Sequence, residues 1–573
     1  MQYDPETKNC QNCKNNFVIE SEDFSFYEKI KVPPPTFCPE CRMIRRMMWR
    51  NERSLYKRDC SLCNKGFISM YPQDTNFPVF CRDCWWGDSW DAKKYSIDLD
   101  FKKPFFFQLK ELFNTAPKLG IFQRNVINSD YTNMVGEGKN IYLSASVVSD
   151  CENVYFSKSV DKSKNIFDSY SVKECDTCYE NIECEKNFNS HYMHSAKNCL
   201  DSYFLYDCAN CSNCFMSSSL RNKQYVFLNQ QLNKEEYFNK LKEIDFGSRE
   251  VISFLKEEFD KLRINTVTRF AKITKSVNSF GENLSNVKDC KHCFHVYDAE
   301  NLKYSYRVFS NMKDSMDCDF AIKSELLYEY TTGALNCFNL KFSYASMNSI
   351  TDSDYTDSCI NSRYLFGCIG VKNSNYCILN KEYEKEEYFE MVEKIKRHMS
   401  DMPYVDAKGR VYEYGEFFSP EYSSFGYNET IAQEYFPLTK EEIVNNGYLY
   451  KEREKRNILN MVDSSLIDNI SSFSKNSFQE VFSCQHKGEC SHQCTEGFKL
   501  TTEEVSFYKK IKIPLPVMCP NCRHFERLSK TNPLKLWHRK CMKEGCNNEF
   551  ETSYAPERPE IVYCEKCYQG EVY

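Results

Sequence analysis

The stretch CPECRMIRRMMWRNERSLYKRDC, residues 38–60, decides how this chain is read. It opens on a Cys-x-x-Cys turn, runs through a basic segment and closes on the first cysteine of the next such pair. A Cys-x-x-Cys turn brings two sulfurs within reach of one small cation, and a second turn returned by a hairpin completes a tetrahedron. Residues 10–84 hold four pairs: Cys10 and Cys13, Cys38 and Cys41, Cys60 and Cys63, Cys81 and Cys84. Sequential pairing predicts tandem zinc ribbons, whereas joining alternate pairs predicts a cross-braced module.

The far end repeats the scheme. FSFYEKIKVPPPTFCPEC at 24–41 matches VSFYKKIKIPLPVMCPNC at 505–522 without a gap, and LYKRDC at 55–60 faces LWHRKC at 536–541. This is an internal duplication. Its candidate ligands are Cys490, Cys494, Cys519, Cys522, Cys541, Cys546, Cys564 and Cys567, with Cys484 an extra thiol that competes with Cys490. Four structural Zn2+ sites of four cysteines each are therefore expected. A closed shell of four sulfurs leaves no position for water or substrate, so such ions fold their modules rather than catalyse.

The 573 residues carry a formal charge of −6, and 41% of them are hydrophobic, which is enough for a sizeable core. Each four-thiolate zinc site adds about −2, taking the chain to roughly −14. A polycation coating nucleic acid along its length is excluded, and any such surface must be local. The opening MQYDPETKNCQNC lacks a basic stretch followed by an apolar core. No run is long and apolar enough for membrane insertion. With 32 cysteines arranged largely as metal-type pairs, these features predict a reducing, cytoplasmic setting rather than a disulfide framework.

Local basic surfaces are present between the metal sites. Residues 42–58 carry Arg42, Arg45, Arg46, Arg50, Arg53, Lys57 and Arg58 against Glu52, and 523–540 carry Arg523, Arg527, Lys530, Lys535, Arg539 and Lys540 against Glu526. Interleaved with Trp49, Tyr56 and Trp537, these residues are candidates for clamping phosphates and stacking bases. A solvated basic face packing on the acidic remainder of the chain and a protein-binding face are the competing readings. Trp85, Trp86 and Trp90 are expected to cover the metal module and dock it on its neighbour. Residues 103–115 read as an amphipathic helix with Phe106, Leu109, Leu112 and Phe113 inward.

From about residue 125 short units recur, such as Asn140-Ile141, Asn153-Val154, Asn165-Ile166, Asn187-Phe188, Asn198-Cys199 and Asn210-Cys211. Steps near 12 residues between short alternating runs predict β-solenoids, with two units to a turn. Asn at a repeated corner bonds along the stack, and the middle cysteines fill a tight interior. Metal at Cys208, Cys211 and Cys214, or at Cys290 and Cys293 with His292 or His295, is the alternative. RNKQYVFLNQQLNKEEYFNKLKEI at 221–244 matches KNSNYCILNKEYEKEEYFEMVEKI at 372–395, a last strand followed by a capping helix. Acids recur with the repeat, and no HExxH, GxSxG, Walker or GxGxxG pattern is present, which argues against an enzyme.

CPECR at 38–42, RNERSLYKRDC at 50–60, CRDCWWGDSWD at 81–91 and the NKQY, LN and KEEY segments at 222–237 resemble an uncharacterised zinc-ribbon family with Asn/Cys-rich repeats from ultra-small, reduced-genome bacteria. The resemblance implies zinc ribbons and repeats. It carries no activity across, and relatives vary at the position of Cys63.

The expected fold is mainly β, with tandem zinc ribbons at both ends flanking two β-solenoid-like regions, each capped by a helix. The expected modules are N-terminal ribbons 1–93, a linker helix 94–124, a first repeat region 125–232, and capping and linking helices 233–272. A second repeat region 273–383, a capping helix 384–400, an extended connector 401–483 that wraps the surface, and C-terminal ribbons 484–573 complete the chain. The expected function is that of a non-enzymatic scaffold or binding protein touching RNA, DNA or a nucleoprotein through its basic segments. A protein-protein platform without nucleic acid and a polymer-acting β-solenoid enzyme are the alternatives.

Overall fold

The computed structural model describes residues 3–453, 458–473 and 479–572, so 454–457 and 474–478 of the expected connector, and the last residue of the C-terminal ribbons, lie outside the described residues. The chain divides into two compact units, Met1–Ile121 with Ala271–Lys451, and Phe122–Phe270 with Glu452–Tyr573. The regular structure is mostly β, with cysteine clusters towards both ends.

In the second unit the strands from Gln123–Ile127 to Gln224–Phe227 pair in parallel, mostly in a fixed register. Lys164 faces Asp176, and Asp176 faces Phe188. One 12-residue unit, not two, therefore separates hydrogen-bonded neighbours. The side-chain period is also not the alternation expected of strands. From Asp150 to Leu228 every third residue has φ between 44° and 64°. The residue after each such bend points inward. Cys151, Val154, Ser157, Val160, Ser163, Ile166 and every third residue onward to Ser217 are at most 3% exposed.

This geometry explains the composition. Left-handed backbone costs a non-glycine residue about 1–2 kcal/mol, and Asn and Asp bear it best. Asn140, Asn153 and Asn165 occupy such bends, and each donates its amide to the next rung, Asn140 to Asn153 and Asn153 to Asn165 at 2.9 Å. Where bulky residues take the bend, stacking offsets the strain: the rings of Tyr192 and Phe204 lie 4.4 Å apart and 3° from parallel. Inside, small polar side chains accept backbone N–H groups from the following rung. Ser163 N–H donates to Cys151 Sγ, Cys175 N–H to Ser163 Oγ, Asn187 N–H to Cys175 Sγ, and Cys199 N–H to Asn187 Oδ1. The middle cysteines are thus buried acceptors and fillers. Among the described residues they form no group of metal-binding size.

The outer face of these strands carries Tyr155, Phe167, Tyr179 and Phe204, which pack with Ile252 and Phe259 of the Arg249–Asn265 helix and with Phe507 and Tyr508 of the Thr502–Ile511 helix. The Lys234–Lys242 helix follows the last strand, capped by Asn233 and Glu236, with Glu235 and Glu236 in the first turn and Tyr237 fully buried.

The first unit has the same parts. Strands from Ile273–Thr274 to Asn375–Ile378 pair in parallel at steps of 11 to 13 residues, and the Lys385–Asp401 helix follows them with Tyr388 buried. The Phe105–Thr115 helix buries Phe106, Leu109, Leu112 and Phe113 as expected. Trp85 and Trp90 close on Gly370, where φ is +69° and an added Cβ would lie 3.0 Å from the Trp90 ring. The connector differs from expectation. Tyr412, Phe417, Phe418, Tyr422 and Tyr427 are buried, and Trp49 packs on Phe417 and Phe418, so this segment forms core instead of wrapping a surface.

Candidate metal centres

Each of the two N-terminal cysteine clusters is built from two pieces that differ in kind. The first is a knuckle at a hairpin tip. The strands Glu6–Asn9 and Asn16–Ile19 carry Cys10 and Cys13, and Tyr56–Asp59 and Gly66–Ser69 carry Cys60 and Cys63. Lys14 and Asn64, just after each knuckle, take left-handed backbone at φ 63° and 59°. The second piece is a helix N-terminus. Cys38 caps Pro39–Met47, Cys81 caps Arg82–Trp86, and Cys519 caps Pro520–Ser529. The positive end of a helix favours thiolate there.

Sequential pairing is what the structure brings together: Cys10, Cys13, Cys38 and Cys41; Cys60, Cys63, Cys81 and Cys84; and Cys541, Cys546, Cys564 and Cys567. The Sγ atoms of Cys13 and Cys38 are 3.8 Å apart, those of Cys63 and Cys81 3.9 Å, and those of Cys546 and Cys564 3.9 Å. A disulfide needs about 2.05 Å. A tetrahedral ion with metal–sulfur bonds of about 2.3 Å spaces its sulfurs about 3.8 Å apart. All the described cysteines are free, and the clusters have the span of a metal site.

One sulfur in each of these clusters accepts a backbone N–H, which favours its anion. Cys38 N–H donates to Cys10 Sγ at 3.2 Å, Cys81 N–H to Cys60 Sγ at 3.3 Å, and Cys564 N–H to Cys541 Sγ at 3.3 Å. Burial pushes the Cys60 thiol up, but backbone N–H groups of Cys81, Cys63 and Leu62 outweigh it and bring it down to about 6. Cys564 comes down to about 6 against its own burial, helped by the Asn548 amide.

The third cluster departs from expectation. Cys484, not Cys490, joins Cys494, Cys519 and Cys522. Cys484 Sγ lies 3.8 Å from Cys522 Sγ and accepts from Cys519 N–H at 3.2 Å. The reason is local. Val481–Ser483 pairs with Gly497–Phe498, which sets Cys484 at the end of a strand, while Cys490 sits in the loop beyond. A fifth group, His486, Cys490, His492 and Cys522, lies beside it. Neither histidine is singled out by the sequence reading, although both sit in CQHKGECSHQC at 484–494, where Cys-x-His at 484–486 and Cys-x-His-x-Cys at 490–494 were the available signal.

The basic segments are not the exposed faces expected of them. Arg42, Arg45, Arg46, Arg50, Arg58, Arg523 and Arg527 are at most 6% exposed. In the first unit Arg42 Nε donates to Asp317 at 2.9 Å, Arg46 donates to Asp317 and Asp319 at 3.0 and 2.9 Å, and Arg45 reaches Glu329 at 2.6 Å and Glu416 at 3.0 Å. Arg50, beyond the end of the helix, pairs with Glu52. Arg58 donates to Pro72 O at 2.7 Å. In the second unit Arg523 and Arg527 both hold Asp168, the latter at 2.8 Å. Lys530 meets Asp260 at 3.2 Å, Lys540 meets Glu549 at 3.1 Å, and Arg539 donates to Ala555 O at 3.2 Å. Lys535 stays exposed, with its ammonium over the Trp537 ring, and Arg53 is half-buried.

No protein-family model matches the chain, and no curated protein does. Among solved structures it is similar to a candidate acetyltransferase from Desulfovibrio desulfuricans G20, at 10% identity and a TM-score of 0.12, over 43% of this chain. The chain spans 63% of the length of that structure. So slight a likeness carries no argument about fold or activity. No helix among the described residues is long and apolar enough to cross a membrane.

Proposed function

We propose that the chain is a non-enzymatic, zinc-stabilised scaffold: two β-solenoids, each with a tandem zinc-ribbon module clamped to it by buried arginines. The single observation that carries this reading is the engagement of Arg42, Arg45 and Arg46 with Asp317, Asp319, Glu329 and Glu416. Buried guanidinium–carboxylate contacts are well suited to fixing one arrangement of modules. The same contacts use up the charges on which a nucleic-acid surface would depend, and this favours a protein-interaction platform over RNA or DNA binding.

Zinc is the usual occupant of closed tetrahedral sites of four thiolates, which is the ligand set of these clusters. A cavity of about 550 Å³ in the second unit is lined by four carboxylates, those of Glu180, Asp260, Asp463 and Glu526. Glu180 pairs with Lys256 at 2.7 Å and Asp260 with Lys530 at 3.2 Å, which takes two of the four out of acid–base work.

Fluorescence anisotropy with a single-stranded RNA and a duplex DNA, at about 50 and 200 mM salt, tests the reading. Binding no tighter than the non-specific range of about 10⁻⁴ to 10⁻⁶ M is expected. Submicromolar binding that collapses between those salt concentrations would restore the nucleic-acid interface.

A further inference from the structure

The eleven residues CQHKGECSHQC, 484–494, bring five metal-type side chains to a place where completing one tetrahedron needs only two. At the matching N-terminal position the knuckle is Cys10-Gln-Asn-Cys13, and nothing beyond those two ligands is supplied. The extra three converge. One ring nitrogen each from His486 and His492 lies within 4.8 Å of the sulfurs of both Cys490 and Cys522. Cys490 Sγ is 3.7 Å from Cys522 Sγ, the separation of two sulfurs on one tetrahedral ion.

The histidines are held for this task. The rings of His486 and His492 are 5.4 Å apart, and His492 stacks on Phe525 at 5.1 Å and 6°. The Nδ1 atoms of both are buried and without a hydrogen-bond partner. A buried polar atom left unmet costs about 1–3 kcal/mol, so an unmet ring nitrogen on each of two histidines that reach two thiols calls for a ligand.

We propose that the Cys522 thiolate bridges two ions, one held by Cys484, Cys494 and Cys519, the other by His486, Cys490 and His492. This rests on the reading of the cysteine clusters as zinc sites. The chemistry balances: five thiolates against two divalent ions carry a net charge of about −1, less than the −2 or so of four thiolates around one. The second ion is the outer one. Its ligands other than Cys522 are half-buried, whereas Cys484, Cys494 and Cys519 are fully buried.

The test is the metal content of the full chain, reconstituted with Zn2+ alone and measured by elemental analysis and native mass spectrometry. Wild type is expected to hold five ions, and both His486→Ala/His492→Ala and, independently, Cys490→Ser are expected to hold four. The chromophoric chelator 4-(2-pyridylazo)resorcinol should release one equivalent ahead of the rest from wild type only. With Co2+ in place of zinc, the thiolate bridge should couple two ions magnetically, lowering the integrated spin below that of five isolated ions, and the variants should recover that of four. Four ions in wild type, unchanged in the variants, overturns the fifth site and leaves the four ribbons standing. Five ions retained by both variants, or full spin in the cobalt protein, also overturns it. Fewer than four ions in wild type overturns the ribbon reading as well.

Discussion

Arg42 Nε and Asp317 Oδ2 are 2.9 Å apart, and neither side chain is more than 1% exposed. In the duplicated module the residue 481 positions on is Arg523, which holds Asp168, likewise fully buried. Asp317 and Asp168 share left-handed backbone, at φ 55° and 47°. The same contact thus occurs in both units. A guanidinium on the helix that starts at a cysteine of a metal-type cluster reaches a carboxylate at a bend of the parallel strands.

Removing one partner should leave a charge buried and unpaired. Arg46→Met takes away the donor to Asp319, and a loss of about 3–5 kcal/mol is expected in urea unfolding of the first unit. Adding Asp319→Asn to that variant should recover part of the loss, because a neutral amide costs less to bury. A loss below about 1 kcal/mol would mean that the arginine is not a clamp.

Metal removal should act on the ribbons and spare the strands. After treatment with a strong chelator under reducing conditions, hydrogen exchange should accelerate across 6–84 and 481–567. Protection should persist across 151–227 and 284–378, whose backbone bonds are met within the stacks. Uniform loss of protection in all four regions would show that the stacks depend on the metal as well.

His191 supplies a pH dependence with a definite sign. It is buried against the Tyr203 ring, and burial, with Lys510 nearby, lowers its pKa to about 3. The unfolded chain takes up this proton near 6.5 and the folded chain only near 3, so the unfolded state binds more protons across that window. Stability of the second unit should therefore fall as pH drops from 6.5 towards 3. His191→Leu should flatten the profile by up to about 1.4 kcal/mol per pH unit. Parallel profiles for the two proteins would contradict this.

The interior cysteines should behave as packing. Cys178 shares its column with Ser190, whose hydroxyl donates to Phe188 O, so the site accepts a hydroxyl. Cys178→Ser should cost roughly 1 kcal/mol and leave the metal content unchanged. Loss of an ion would place a metal inside the stack.

Much of this was legible in the sequence. The cysteine pairs pointed to the four-cysteine clusters because ligand spacing is a local property, and the KEEYF segments at 234–238 and 385–389 pointed to the helices that follow the strands. The period was misread. Asn187 looked like another corner asparagine, yet it sits inside, 1% exposed, in the column of Cys175 and Cys199. With Cys, Ser, Asn and Val all serving as inward residues, the three-residue step is hidden from any hydrophobicity count. The acidic partners of Arg42, Arg45 and Arg46 lie about 270 to 370 residues away, and nothing local points to them. Cys484 was set against Cys490 correctly as a competitor, but the strand pairing that decides between them depends on Gly497 and Phe498 across a loop.

X-ray diffraction from crystals of the zinc-loaded protein, collected on both sides of the zinc absorption edge, tests the central claim most directly. Anomalous peaks should sit among the sulfurs of Cys10, Cys13, Cys38 and Cys41, of Cys60, Cys63, Cys81 and Cys84, of Cys484, Cys494, Cys519 and Cys522, and of Cys541, Cys546, Cys564 and Cys567. No water should coordinate any of these ions. Sulfurs bonded to one another in those positions, or an ion there with a solvent molecule as a ligand, would contradict the account.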